Sequence, residues 1–321
     1  MKRWYCLNDL EGLTSRPVVA IGVYDGVHRG HRKLIRKAVE DAASSGVESV
    51  VLTFDPNPAE VLGRGPAPTR LSVLAQRLEL IESLGVDAAL VMTFDEELSK
   101  QTPADFVHGV LGDALNASQV VVGENFRFGH RAAGDVSDLR ELGRDRGLKV
   151  DPVPLLVQEL IGRDNLPLSS TEIRGLVAAG DVAAACRGLA RPHRVEGVVV
   201  QGDRRGAELG FPTANLEPTD LAAIPAEGVY AGRLVDSPHG EQRRTFPAAI
   251  SIGTNPTFDG QEQTVEAYAI ADEALRLYDH QVAVEFIDRV REQQRFASTE
   301  QLVNAMHNDV ARVRHVLGLG S

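Results

Sequence analysis

Apolar residues in the first half of the chain fall into short continuous runs, at residues 18–23, 49–54, 88–94 and 120–123, with a weaker run at 148–153. Between the runs the apolar positions switch to helical spacing. One stretch carries Leu34, Ile35, Ala38, Val39 and Ala42, another Leu74, Leu78, Ile81 and Leu84, a third Phe106, Val107, Val110 and Leu111. A strand buried on both faces reads as an unbroken apolar run, whereas a surface helix shows a single apolar stripe. The alternation predicts βαβ units and a parallel sheet covered on both faces. Ligands of such sheets bind beyond the strand C-termini.

The pattern changes near residue 186. A helical, Ala-rich stretch at 177–186 leads to Arg191-Pro192, which marks a boundary. Strand-like runs then follow without helices between them, at 195–200, 229–235, 248–252, 264–270 and 282–287. Several strands in succession predict an antiparallel barrel or sandwich. Leu302, Val303, Met306, Val310, Val313 and Leu317 return to helical spacing, so a helix closes this domain. The expected division is residues 1–186 and residues 187–321.

Composition narrows the function. A chain of 321 residues has room for two domains. Its formal net charge of -11 argues against a general nucleic-acid or anionic-membrane surface, while a local basic pocket can still take a polyanion. No apolar run approaches the ~20 residues that span a bilayer, and Lys2 and Arg3 are not followed by the apolar stretch of a signal peptide. Cys6 and Cys186 form neither a disulfide framework nor a metal spacing. The expectation is a cytoplasmic protein.

The densest chemistry lies where the first strand hands over to the first helix, in Gly22-Val-Tyr-Asp-Gly-Val-His-Arg-Gly-His31. A helix N-terminus offers unpaired N–H groups and partial positive charge, which suit phosphate. His28 and His31 can reach one phosphoryl group there and stabilise charge developing during transfer. The plain structural alternative makes His31 a helix cap and His28 a loop residue. Ser169-Ser-Thr-Glu-Ile-Arg174 carries a capping box, and its hydroxyls with Arg174 also suit a triphosphate. In Gly123–Gly129, Asn125 and Arg127 interleave with Phe126 and Phe128, which suits a flat aromatic ligand carrying phosphate. Further along, Thr213 and Asn215 share a face of an extended segment. Their neutral oxygens suit Mg²⁺ that keeps waters and takes nucleotide phosphates. Glu266, in the fourth run after the boundary, is a candidate base if it lies beside them.

Taken in order, these strings resemble the bifunctional bacterial FAD synthetases, which join a riboflavin kinase to an FMN adenylyltransferase. Tyr24 to His31, Thr53-Phe-Asp-Pro56, Gly123–Gly129 and Ser169–Arg174 resemble the nucleotidyltransferase half. Gly202–Asn215, Pro225 to Ala231, Ser251–Phe258 and Val265-Glu-Ala267 resemble the flavokinase half. The resemblance implies a Rossmann-like nucleotidyltransferase α/β domain followed by a flavokinase-type antiparallel β-barrel with a C-terminal helix. It implies ATP-dependent phosphorylation of riboflavin to FMN in the barrel, then adenylylation of FMN by a second ATP, releasing pyrophosphate and giving FAD. His28 and His31 would stabilise the α-phosphoryl transition state, with Glu266 as kinase base and Thr213 and Asn215 on Mg²⁺. Nucleotide and flavin contacts are implied at Gly22, Tyr24, Asp25, Gly30, Asn125, Arg127, Ser170, Thr171, Arg174, Gly206, Gly210 and Pro212.

Four positions depart from the family's usual pattern. Asn57 replaces a His, which removes a titratable ring and bears on the rate and pH dependence of adenylyl transfer. Tyr24 stands for Phe, Ala207 for a basic residue, and Asp279 for Gly. Two other readings are weighed against this one: a nucleotidyltransferase active only in its first domain, and a non-catalytic flavin or nucleotide sensor.

Overall fold

The computed structural model describes residues 1–10, 12–63, 65–157, 167–202, 209–240, 242–257, 260–271 and 275–319. By contacts the chain divides into two compact units. One takes the residues up to Pro68 and from Leu74 through the last parallel strand; the other takes Thr69–Val73 and everything described from Ser170 onward.

The first unit is a six-stranded parallel sheet. Its strands are β1 (Lys2–Trp4), β2 (Val18–Ile21), β3 (Ser49–Asp55), β4 (Ala88–Thr93), β5 (Gln119–Gly123) and β6 (Lys149–Val153), in the order β1-β4-β3-β2-β5-β6. The first strand was not visible as an apolar run, because two of its three residues are exposed and only Trp4 enters the core. Helices α1 (Arg29–Ser45), α2 (Pro58–Val61) and α3 (Leu74–Glu82) follow β2 and β3, and α4 (Glu96–Lys100) follows β4. A short α5 (Pro103–Asp105) runs on into a π-helical stretch, Phe106–Ala114, where Leu115 N–H donates to the Val110 carbonyl. Helix α6 (Val136–Gly143) precedes β6. The order of strands reverses at β2, whose neighbours are β3 and β5. The crevice beyond β2 and β5 is therefore the place where a ligand of this fold sits.

The second unit begins with α7 (Ser170–Ala178) and α8 (Val182–Leu189). The sequence pattern implied one helix at 177–186; Gly180, at φ +77, breaks it, and Asp181 caps the second piece through its bond from Ala184 N–H. By contact, residues 170–186 group with the barrel rather than with the parallel sheet. Strands β7 (His193–Val200), β8 (Ala214–Pro218), β9 (Gly228–Asp236), β10 (Arg244–Thr257), β11 (Gly260–Ala269) and β12 (Gln281–Arg291) close into a barrel in the order β10-β11-β8-β7-β12-β9. All the pairings in it are antiparallel. Closure removes the exposed edges that open sheets must protect. Helix α9 (Thr299–Val316) ends the chain, its N-cap Ser298 accepting from Gln301 N–H. Among the described residues no helix is long and apolar enough to cross a membrane.

Candidate active sites

In the first unit the site forms where β2 ends. Gly22 N–H still pairs with the Leu52 carbonyl, and a turn then closes from Val27 N–H to the Tyr24 carbonyl. Tyr24, Gly26 and Val27 all take positive φ, a conformation costing non-glycine residues about 1–3 kcal/mol each that persists where the surroundings enforce it. Those surroundings are dense: Tyr24, Asp25, Val27 and His28 are all buried.

His28, not His31, is the N-cap of α1. Its Nδ1 accepts a long bond, 3.4 Å, from His31 N–H. The two rings stack with centroids 3.5 Å apart and planes 22° apart. Gly30 makes room for this, since a Cβ there would come within 3.1 Å of His28 Cε1. Tyr24 meets the His31 ring edge-on at 5.2 Å. His31 Nδ1 and the Tyr24 hydroxyl are buried with no hydrogen-bond partner, so two polar groups wait beside a helix N-terminus. Burial, then the His28 and Arg77 charges, hold His31 well below the usual imidazole range. Burial pushes the Tyr24 phenol far up, so it remains a donor.

Beside this cluster lies a cavity of about 430 Å³ between the ends of β2 and β5, within the range of small-ligand sites. Gly22 lines it from β2, and the Tyr24 ring packs 2.9 Å from where a Gly22 Cβ would stand. Asn125, Phe126 and Arg127 line it from β5. Phe126 stacks on Phe128 at 5.5 Å, and Phe54 meets Phe94 edge-on at 6.0 Å. Asn57 does not line the cavity; its Oδ1 accepts from Ala59 N–H and caps α2. Ser170, Thr171 and Arg174 open α7 in the second unit, where Arg174 Nε donates to the Thr69 carbonyl.

In the barrel, chain register builds the second site. Glu266 lies directly opposite Asn215 on β8 and Ser251 on β10. Its neighbours Val265 and Ala267 point into the barrel core, so Glu266 faces outward. The same alternation turns Leu216 inward and Asn215 outward. The Thr213 hydroxyl donates to Glu266 Oε2 at 3.2 Å. Gly202 leaves the space the Asn215 amide fills, as a Cβ there would lie 2.4 Å from it. Register and the threonine–glutamate bond bring Thr213, Asn215 and Glu266 together. With its hydrogen on Glu266, Thr213 keeps lone pairs for a hard cation, as does the Asn215 oxygen, so the donor set fits Mg²⁺.

Thr213 and Tyr268 border two cavities. One, about 230 Å³, is aromatic, with Phe211, Phe296, Leu302 and Met306 in its wall. The other, about 350 Å³, is lined by Gly210, Pro212 and Leu277. Phe211 meets Tyr268 at 5.2 Å and His307 of α9 at 5.0 Å, both edge-on. Arg291 of β12 grips Asp309 of α9 through bonds of 2.8 and 2.7 Å, which seats that helix over the aromatic cavity. The sequence did not single out this pair. Gly206 and Ala207 lie outside the described residues. Asp279 adopts φ +64, the left-handed conformation that the family's usual Gly takes freely.

The matches to known proteins follow the same two-part division. A family model of FAD synthetase matches residues 11–166, and one of riboflavin kinase matches residues 189–317. The bifunctional riboflavin kinase/FMN adenylyltransferase of Pseudomonas fluorescens is 36% identical over 298 residues, 92% of each chain. That of Escherichia coli K12 is 32% identical, covering 94% of this chain and 93% of its own. A crystal structure of a macrolide-efflux protein from Streptococcus pneumoniae superposes with a TM-score of 0.85 at 30% identity, covering 97% of this chain and 98% of that one. The chain belongs to the family of bifunctional riboflavin kinase/FMN adenylyltransferases.

Proposed function

We propose that riboflavin is phosphorylated at the Thr213–Glu266 pair and that the FMN produced is adenylylated at the His28–His31 cluster. The observation that carries the first assignment is the position of Thr213, hydrogen-bonded to Glu266 and bordering both barrel cavities. An isoalloxazine in the aromatic cavity and a nucleotide in its neighbour, held along Gly210 and Pro212, would meet there. Glu266 orients the ribityl hydroxyl and takes its proton as the hydroxyl oxygen attacks the γ-phosphorus of ATP, whose bond to the β-phosphate oxygen breaks to release ADP. Thr213 and Asn215 would hold Mg²⁺, which would supply positive charge to offset that of the phosphates.

In the first unit, the aromatic cavity between β2 and β5 suits the flavin of FMN, with Asn125 and Arg127 at its wall. The FMN phosphate then attacks the α-phosphorus of a second ATP, and pyrophosphate leaves. His28, His31, the α1 N-terminus and the Tyr24 hydroxyl are the groups assigned to stabilise the transferring group. Ser170, Thr171 and Arg174 are assigned to the ATP phosphates, and the functional domains to residues 1–186 and 187–321. Riboflavin, FMN and ATP are then the partners, in the cytoplasm where ATP is made, with neither nucleic acid nor membrane involved. Purified protein given riboflavin, ATP and Mg²⁺ should yield FMN and then FAD. FMN without FAD removes the adenylyl half of the assignment; no FMN removes the kinase half.

A further inference from the structure

Arg77 is a buried cation that neither proposed reaction uses. It is 3% exposed, in a helix whose other inward residues include Leu78 and Ile81. Burying a guanidinium is costly unless its donors are met, and a purely structural site is filled as well by an apolar side chain. Here the donors converge on the two strand ends that carry the adenylyl site. Nη1 donates to the Val23 carbonyl at 3.0 Å, to the Phe54 carbonyl at 2.8 Å and to Thr53 Oγ1 at 3.4 Å, while Nη2 bonds Asp55 Oδ1 at 3.0 Å. Thr53 in turn donates to the same Val23 carbonyl at 3.0 Å.

These acceptors are not arbitrary. Val23 is the last residue before the strained turn that presents Tyr24 and His28, and Val23 and Phe54 both line the aromatic cavity. One planar fork thus ties the turn bearing the histidines to the wall of the pocket assigned to flavin. A lysine, with one compact ammonium, supplies the charge without that fork.

We infer that Arg77 is a positioning residue for adenylyl transfer, fixing the His28–His31 turn relative to the aromatic cavity through its bonds to Val23, Phe54 and Asp55. This rests on the assignment of adenylyl transfer to His28 and His31. Misplacing a reacting group by an ångström costs on the order of 10²-fold in rate, which sets the scale of the effect. The same cation also faces His31, as do His28 and Tyr24 on the turn. Charge and geometry therefore separate in two variants.

The test measures FMN adenylylation (kcat, KM and pH profile) and riboflavin phosphorylation in the same full-length chain carrying R77K or R77Q. Both variants should keep kinase activity, and circular dichroism with a melting curve reports whether the first unit folds. R77K should lose kcat for adenylylation by on the order of tenfold to a hundredfold with the pH profile unmoved. R77Q should lose at least as much, and the limb of its profile governed by His31 should move to higher pH, since the opposing cation is gone. Adenylylation within twofold of the unaltered protein in R77K overturns the inference, and R77K decides the case if R77Q does not fold. H31N loaded with FMN and ATP keeps the two claims apart. Full adenylylation there refutes the site assignment itself, whereas loss in H31N with full activity in R77K refutes only the role of Arg77.

Discussion

Thr213 and Glu266 are 53 residues apart in the chain, yet the threonine hydroxyl donates to the glutamate across 3.2 Å. The bond joins the loop entering β8 to the middle of β11, and the pairing of Glu266 with Asn215 completes the group. A hydroxyl so oriented presents its lone pairs away from Glu266. Thr213→Ser keeps this arrangement and should retain FMN formation. Thr213→Val removes the oxygen proposed to hold Mg²⁺, so its Mg²⁺ requirement for FMN formation should rise. Titrating Mg²⁺ against initial rate for the three proteins checks this.

His31 makes stability depend on pH. Its folded-state affinity for a proton lies well below the reference value of 6.5, with burial the largest cause. Below that value the unfolded chain binds a proton that the folded one refuses. Stability is therefore full above 6.5 and declines as pH falls toward the depressed folded value. Melting curves from about pH 7.5 to 5.5 should show this decline in the unaltered protein and a shallower one in His31→Gln. Equal slopes would remove His31 as the cause.

Asn57 has a task that its replacement of a family histidine does not suggest. It caps α2, whose Pro58 forms part of the aromatic cavity wall. Asn57→Ala should cost about 1 kcal/mol of local stability and raise KM for FMN in adenylylation, while Asn57→Ser keeps a capping oxygen and the native KM. Steady-state kinetics with FMN as the varied substrate distinguishes them.

The Tyr24 hydroxyl is buried without a partner. Tyr24→Phe removes an unmet polar group and keeps the ring against His31, so the ligand-free protein should gain roughly 1 kcal/mol. A fall in its melting temperature would mean that the hydroxyl is bonded in solution.

Much of this was legible in the chain because local pattern and tertiary position agree. The continuous apolar runs became central parallel strands, and the alternating Thr213, Ala214, Asn215 and Leu216 placed oxygens outward and carbons inward. What stayed hidden depends on contacts distant in sequence. The order β1-β4-β3-β2-β5-β6, and so the crevice beside Gly22 and Asn125, is not written in any one segment. The helical break at Gly180 was masked by alanines on either side. Arg77 carries a signal in the sequence: it stands three residues after Leu74 and four before Ile81, on the apolar face of its helix. A charged residue at such a position has partners to find. The Arg291–Asp309 pair had no such sign, since strand and helix meet only in the folded barrel.

The division of labour between the two sites is tested most directly by a crossover of substrates in two variants. Glu266→Gln and His31→Asn are each given ATP and Mg²⁺ with either riboflavin or FMN, and flavin products are followed by chromatography. Glu266→Gln should form FMN from riboflavin slower by about 10²–10⁴-fold while converting supplied FMN to FAD at the native rate. His31→Asn should make FMN at the native rate and stop there. FAD formation lost in Glu266→Gln when FMN is supplied, or FMN formation lost in His31→Asn, would contradict two separate sites.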